Sequence, residues 1–176
     1  MLLTTHHKPF TRAGWVFEEK LDGYRCTVSI CDDWHMLWSR HDNPLPQRFY
    51  ELDSLPDRTV LDGELVSMEG GKVSLQSLQR NHGPFQLHLF DCLMWAGQDL
   101  TRMPLPLRRY YLLHHCTNLS DRVFVVPQFE DGVALFNQIK RDGGEGIVAK
   151  RQASHYRPGK RSADWQKIKV PGYVSC

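Results

Sequence analysis

One stretch of the sequence puts a lysine where it can do covalent chemistry: Lys20-Leu21-Asp22-Gly23-Tyr24-Arg25. A polar loop between strand-like runs exposes the amine, and Gly23 lets backbone approach a ligand. A lysine is a nucleophile once deprotonated, a form that burial or nearby cations favour. Arg25 offers a planar fork for a phosphate or a sugar. Read alone, K-x-D-G is equally a surface loop with a Lys–Asp pair.

Three more runs carry charge in a spaced pattern. In Leu61-Asp62-Gly63-Glu64-Leu65, a strand puts Asp62 and Glu64 on one face. Carboxylates flanked by apolar residues are costly without partners, and ribose hydroxyls, Mg²⁺ or the cations of the first loop would serve. In Glu145-Gly146-Ile147-Val148-Ala149-Lys150, Glu145 can offer oxygen to a divalent metal. In Trp165-Gln166-Lys167-Ile168-Lys169, the two lysines share a strand face with Ile168 opposite. Paired ammonium groups on a rigid strand suit a polyphosphate and stabilise a pyrophosphate leaving group. Taken singly, each run is also ordinary strand amphipathicity.

The elements that must position these residues can be read in outline. Trp15–Phe17 and CTVSI read as strands around the Lys20 loop, followed by a short MLWSR strand. QRFYELDSL reads as a short helix, and TVLDGELVSM as a strand turning at Gly70-Gly71 into KVSL. A helix begins at Ser74 and stops near Gly83. FQLHLFDCLMW is a strand with Phe85, Leu87 and Leu89 on alternate positions. PLPLRRYYLLHHCTNL is a helix entered after Pro106. Asp131 caps GVALFNQIKRD, and Gly143-Gly144 ends it. GIVAKR and DWQKIKV close the set as strands. Strands interleaved with three or four helices make an α+β domain.

Composition sets the outer bounds. The 176 residues fit a single domain spanning 1–176, with 41% hydrophobic and 24% charged residues. Net charge is +2, too small to indicate a nucleic-acid partner. Lys150, Arg151, Arg157, Lys160, Arg161, Lys167 and Lys169 against Asp164 form a cationic stretch. It suits phosphates, although charge alone favours a solvated surface. Five cysteines, Cys26, Cys31, Cys92, Cys116 and Cys176, give an odd count without C-x-x-C spacing. Neither a disulfide framework nor a zinc site is expected, and a reducing cytosol is the simplest setting. The His6-His7 and His114-His115 pairs read as surface residues. The N-terminus lacks an apolar leader core, and no apolar run approaches membrane-spanning length.

The order K-x-D-G-x-R, D-G-E, E-G-I-V-A-K, K-x-K resembles the motif series of covalent nucleotidyltransferases: ATP-dependent DNA ligases, RNA ligases and mRNA capping enzymes. Trp38-Ser39-Arg40 and Leu89-Phe90-Asp91 resemble two further elements of that series. GWVFEEKLDGYR, VLDGELV, LFDCLMWAGQDL and RDGGEGIVAKR are most similar to bacterial ATP-dependent DNA ligases, including end-joining ligase modules. One departure is His41-Asp42, where ligases usually carry Asn-Gly. It bears on the loop geometry more than on Arg40.

The resemblance implies an ATP-grasp-like domain with two lobes of mainly antiparallel sheet, flanked by helices around an ATP cleft. It implies that Lys20 attacks the α-phosphorus of ATP, giving lysyl-AMP and pyrophosphate. Phe90 stacks on adenine, although a core aromatic is a serious rival reading. Glu18 helps read the adenine edge, through side chain or backbone. Glu64 and Arg25 hold the ribose, and Arg40 approaches the ribose or phosphate side. Lys167 and Lys169 offset phosphate charge. Glu145, with Glu64, places Mg²⁺ or Mn²⁺, and Asp22 orients Lys20 or the metal. AMP then moves to a DNA 5′-phosphate of a nicked duplex, and the nick is sealed. A monomer in the bacterial cytosol or nucleoid, with a repair-complex partner, is the expected setting. Family ligases continue into an OB-fold domain, for which the seven residues after Lys169 leave no room. Weak nick sealing, or none, by this chain alone is expected. An RNA ligase, a capping-type enzyme and a non-catalytic nucleotide- or DNA-binding module stay open as alternatives.

Overall fold

The computed structural model describes residues 1–32, 34–117 and 119–175, so Asp33, Asn118 and Cys176 lie outside the described residues. Among the described residues, twelve strands and three α-helices follow one another along the chain, with the helices confined to its middle and second half. A four-stranded sheet has the order β1-β12-β11-β2, from Leu2–Thr5, Arg161–Lys169, Gly146–Arg151 and Trp15–Glu19. The larger sheet runs β10-β8-β6-β3-β4-β5. Its strands are Val123–Val125, Phe85–Trp95, Thr59–Glu69, Tyr24–Cys31, Trp34–Ser39 and Pro44–Leu45. Lys72–Val73 (β7) and Gln98–Asp99 (β9) form hairpin arms on β6 and β8. Pairing is antiparallel except β1 with β12 and β10 with β8. This is the α+β architecture of mainly antiparallel sheets expected from the sequence.

The helices follow their sequence signals closely. Helix α1, Leu75–Gln79, starts where the Ser74 side chain accepts from the Ser77 N–H. It ends at Arg80, short of Gly83, because the C-cap closes there. Helix α3, Gly132–Asp142, is capped by Asp131 and ends at Gly143 in the left-handed region. Helix α2, Leu105–His115, starts after Pro104, not Pro106. Pro106 sits in its first turn, where the missing N–H has no partner to lose. QRFYELDSL makes a 3-10 turn over Tyr50–Ser54 instead of an α-helix.

Three apolar clusters hold these layers. The largest sheet buries Val28, Leu37, Leu61, Leu87 and Leu89 against α2 and the 3-10 turn. Helix α3 covers the small sheet through Leu135, Phe136 and Ile139 on Phe17, Ile147 and Ile168. A third cluster, with Val16, Leu105, Tyr156 and Trp165, joins the two sheets, and Phe90 packs at its border. Among the described residues, Cys26, Cys31, Cys92 and Cys116 are free thiols. No described helix is long and apolar enough to cross a membrane.

Candidate active site

Lys20 follows β2 directly, and its backbone N–H donates to the Gly146 carbonyl at 2.9 Å. That bond sets the nucleophile candidate beside Glu145. Lys20 Nζ donates to Glu145 Oε2 at 2.8 Å. Lys169 lies opposite Gly146 across the β11–β12 pair. Its Nζ is 2.6 Å from the other oxygen, Glu145 Oε1. The carboxylate is buried while Lys169 stays half exposed. Lys167 shares the face of Lys169, and its amine is held below the usual lysine value, chiefly by burial and then by Lys169, Lys20 and Arg161.

Two glycines make this arrangement possible. A Cβ on Gly146 would sit 2.2 Å from the Ile168 carbonyl oxygen, at a φ of +149°. Only glycine lets β11 close on β12 at the level of Lys169. A Cβ on Gly23 would sit 2.3 Å from the Leu65 carbonyl oxygen. Glycine there lets the Lys20 loop press onto β6.

Lys20 opens onto a cleft that Glu18, Arg25, Glu64, Phe90, Lys150 and Trp165 also line. Arg25 is anchored by two bonds to Asp62, at 3.1 and 2.7 Å. Tyr156 donates its hydroxyl to the same carboxylate at 2.7 Å. Glu64 stands opposite Arg25 in the β3–β6 pair. Burial pushes its carboxyl up to about 7, against the pull of Lys20 and Arg25. Phe90 is partly exposed to the cleft, with its ring edge-on to Trp165 at 6.2 Å.

Several expected roles meet a different geometry. Glu18 is 2% exposed. Gln128 donates to its Oε1 at 2.8 Å, Arg109 reaches the same oxygen at 3.4 Å, and Lys150 Nζ stands 2.6 Å from Oε2. Its carboxylate oxygens are held by protein groups, while Glu18 itself still lines the cleft. Asp22 accepts from the Tyr173 hydroxyl at 3.0 Å, and the carboxylate that accepts from Lys20 Nζ is Glu145. Arg40 is exposed beyond the end of β4 and lines a separate depression with Asp42 and Gly159, which shares Arg25 with the cleft. Glu64 lines the cleft, whereas Glu145 lines a second depression sharing Lys20. The proposed metal carboxylates therefore flank the nucleophile rather than sit side by side.

The sequence reading missed Lys150, Trp165, Arg109 and Gln128 as site residues. Lys150 was counted with the solvated cationic stretch, yet it is 2% exposed. Burial lowers its amine from the usual lysine value, and Glu18 opposes that shift. The signal was a lysine inside the apolar run GIVAKR. Arg109 and Gln128 gave no local signal, since they reach Glu18 across 91 and 110 residues of chain.

The profile of the ATP dependent DNA ligase domain matches residues 3–169. The chain belongs to this family. The ligase domain is 35% identical to the SPbeta prophage-derived DNA ligase-like protein LigB of Bacillus subtilis, over 96% of this chain and 66% of that protein. It is 33% identical to the multifunctional non-homologous end joining DNA repair protein LigD of Mycobacterium tuberculosis, over 88% of this chain and 21% of that one. The ligase domain thus spans about two thirds of one relative and a fifth of the other. Its structure superposes on mycobacterial DNA ligase D complexed with ATP and MES with a TM-score of 0.80 at 31% identity, covering 96% of this chain and 58% of that one.

Proposed function

We propose that this domain takes AMP from ATP onto Lys20 and passes it to a DNA 5′-phosphate at a nick. One observation carries the reading. The Lys20 amine, at the mouth of a cleft with an aromatic wall, shares the Glu145 carboxylate with Lys169 from the far end of the chain. In the transfer, a bond forms between Lys20 Nζ and the α-phosphorus, and the bond from that phosphorus to pyrophosphate breaks. Lys20 must give up a proton to free its lone pair. Lys167 and Lys169 face the side where pyrophosphate charge accumulates. Arg25, steadied by Asp62, and Glu64 are placed on the sugar side.

Glu145 fits a divalent cation by donor chemistry, since its carboxylate supplies hard oxygen. Both of its oxygens are engaged by ammonium groups, so it suits a Mg²⁺ that keeps its own waters better than one stripped of them. When bound, the ion would neutralise phosphate charge. Glu64, raised to about 7 by burial, is a poorer ligand near neutral pH. A monomer acting on cytosolic or nucleoid DNA, within a repair complex, completes the reading.

The test is intact-mass measurement after incubation with ATP or GTP and Mg²⁺. An AMP adduct that disappears in Lys20→Ala supports the reading. A GMP adduct would move the domain to capping chemistry, and no adduct with either would leave a binding module. Nicks built from DNA or RNA strands then separate the polynucleotide classes.

A further inference from the structure

The larger sheet ends on β10, which pairs with β8 alone. The Leu87 N–H donates to the Arg122 carbonyl at 2.8 Å, and the Val126 N–H to the Leu89 carbonyl at 2.9 Å. Backbone groups alternate in direction along a strand, so those of Val125 point away from β8, to an edge with no strand beside it. The Val123 N–H on the same edge is taken by Ser120 Oγ at 3.1 Å. Beside this edge runs a groove of about 450 Å³, between β10 with the segment that follows it and the C-terminal turn of α2. Leu113 and Phe124, 53% and 36% exposed, line it with Val125 and Pro127. Leu113, Phe124 and Val125 do not line the nucleotide cleft.

Arg109 also lines the groove, and its side chain is buried. Its terminal nitrogens reach Glu18, the Phe90 carbonyl and the Val126 carbonyl, at 3.4, 3.1 and 2.6 Å. Its Nε is buried and has no partner among the described residues. An arginine stays protonated, and a buried N–H without an acceptor is costly until one arrives. Charge points the same way. Glu18 is shared by Arg109 and Lys150, two cations on one carboxylate. Asp91, an acid of β8, is occupied by Arg108. The cluster therefore has a place for one more negative group, on the side where Arg109 meets the groove.

We propose that this groove takes an extended acidic segment of a partner protein. The segment adds as a further strand to β10 through the Val125 backbone, seats apolar side chains between Leu113 and Phe124, and sets a carboxylate on Arg109. A strand suits the edge better than a helix, whose backbone groups are spent on their own hydrogen bonds. A basic segment would leave the Arg109 Nε unanswered and add like charge beside it.

The experiment selects displayed random dodecapeptides on the unmodified chain, with Leu113→Glu for counter-selection. Leu113 is exposed, so Leu113→Glu should keep the parent's unfolding midpoint while its new carboxylate repels an acidic guest. Selected peptides should alternate apolar and polar residues around one Asp or Glu. Replacing that acid by its amide should weaken binding about 10–100-fold in fluorescence anisotropy, as for one hydrogen bond between charged groups. With peptide bound, the Val125 N–H should exchange with solvent about tenfold more slowly or slower still. A library that yields no sequence favouring the parent over Leu113→Glu overturns the inference. Basic selected peptides overturn it too, as does equal binding of acid and amide. Unchanged exchange at Val125 means that something other than a strand fills the groove, and self-association of the chain through Leu113 in ultracentrifugation assigns the groove to a second copy; either result overturns the inference. Should Leu113→Glu fail to fold, the amide comparison and the Val125 exchange on the unmodified chain decide the matter.

Discussion

Arg108 and Asp91 face each other as a two-pronged ion pair with no exposed surface, Nε to Oδ1 and Nη2 to Oδ2 both at 2.8 Å. The remaining guanidinium nitrogen donates to the Met103 and Ser154 carbonyls at 2.6 and 2.8 Å. One side chain thus ties α2 to β8 and to the β11–β12 connection. Removing one partner strands a buried charge. Arg108→Met is expected to cost about 3–5 kcal/mol of unfolding free energy in a urea titration. The pair Arg108→Met with Asp91→Leu should recover much of that loss, because no lone charge remains.

Lys169 tests the phosphate-facing side of the site. It is half exposed, so Lys169→Ala should change stability by less than about 0.5 kcal/mol. Its adenylation rate should fall by about 10²–10³-fold, as for loss of one group that stabilises developing charge. Single-turnover labelling at saturating ATP separates this from weaker binding. A rate within twofold of the parent would remove Lys169 from the transfer step.

Glu64 makes stability depend on pH. Its carboxyl is raised by burial from the ordinary 4.5 to about 7 in the folded chain. The folded state therefore keeps a proton that the unfolded state has lost between those values. Stability should fall as pH rises from about 4.5 towards about 7, and level off above. Glu64→Gln should flatten that slope. Unfolding midpoints at intervals across this range, for both proteins, check the sign as well as the size.

Gly146 should tolerate no side chain. Gly146→Ala places a Cβ against the Ile168 carbonyl at a φ of +149°. A loss of about 2–4 kcal/mol is expected from strain and crowding together. Labelling of Lys20 should fall as well, since Lys20, Glu145 and Lys169 all take their places from this strand contact.

Much of this was legible in the sequence for a physical reason. Strand alternation and capping are local, so Asp131, Gly143 and the β6 and β8 runs could be read without knowing their partners. Lys20 and the Lys167–Lys169 pair were legible because charge at fixed spacing in a strand implies a shared face. What hid was non-local. Leu2–Thr5 looks like an ordinary polar terminus, and becomes a strand through parallel pairing with β12. Lys150 looks like surface until Trp165 and Phe90 close over it. Glu18 looks available to a ligand until Arg109 and Gln128 arrive from distant segments. Asp22 and Arg40 were assigned by motif order, which fixes sequence neighbourhood and not the direction of a side chain.

Tyr156 joins the two sheets: its hydroxyl reaches Asp62 of the larger one at 2.7 Å, and its ring stands edge-on to Trp165 of the smaller at 5.8 Å. The two sheets are thereby tied to each other at one side of the cleft, so a nucleotide that enters it should meet walls already held together, with little ordering left to oppose capture. Small-angle scattering should register almost no contraction of this domain on loading with ATP, whereas Tyr156→Phe, which loses the bond to Asp62, should let the two sheets shift.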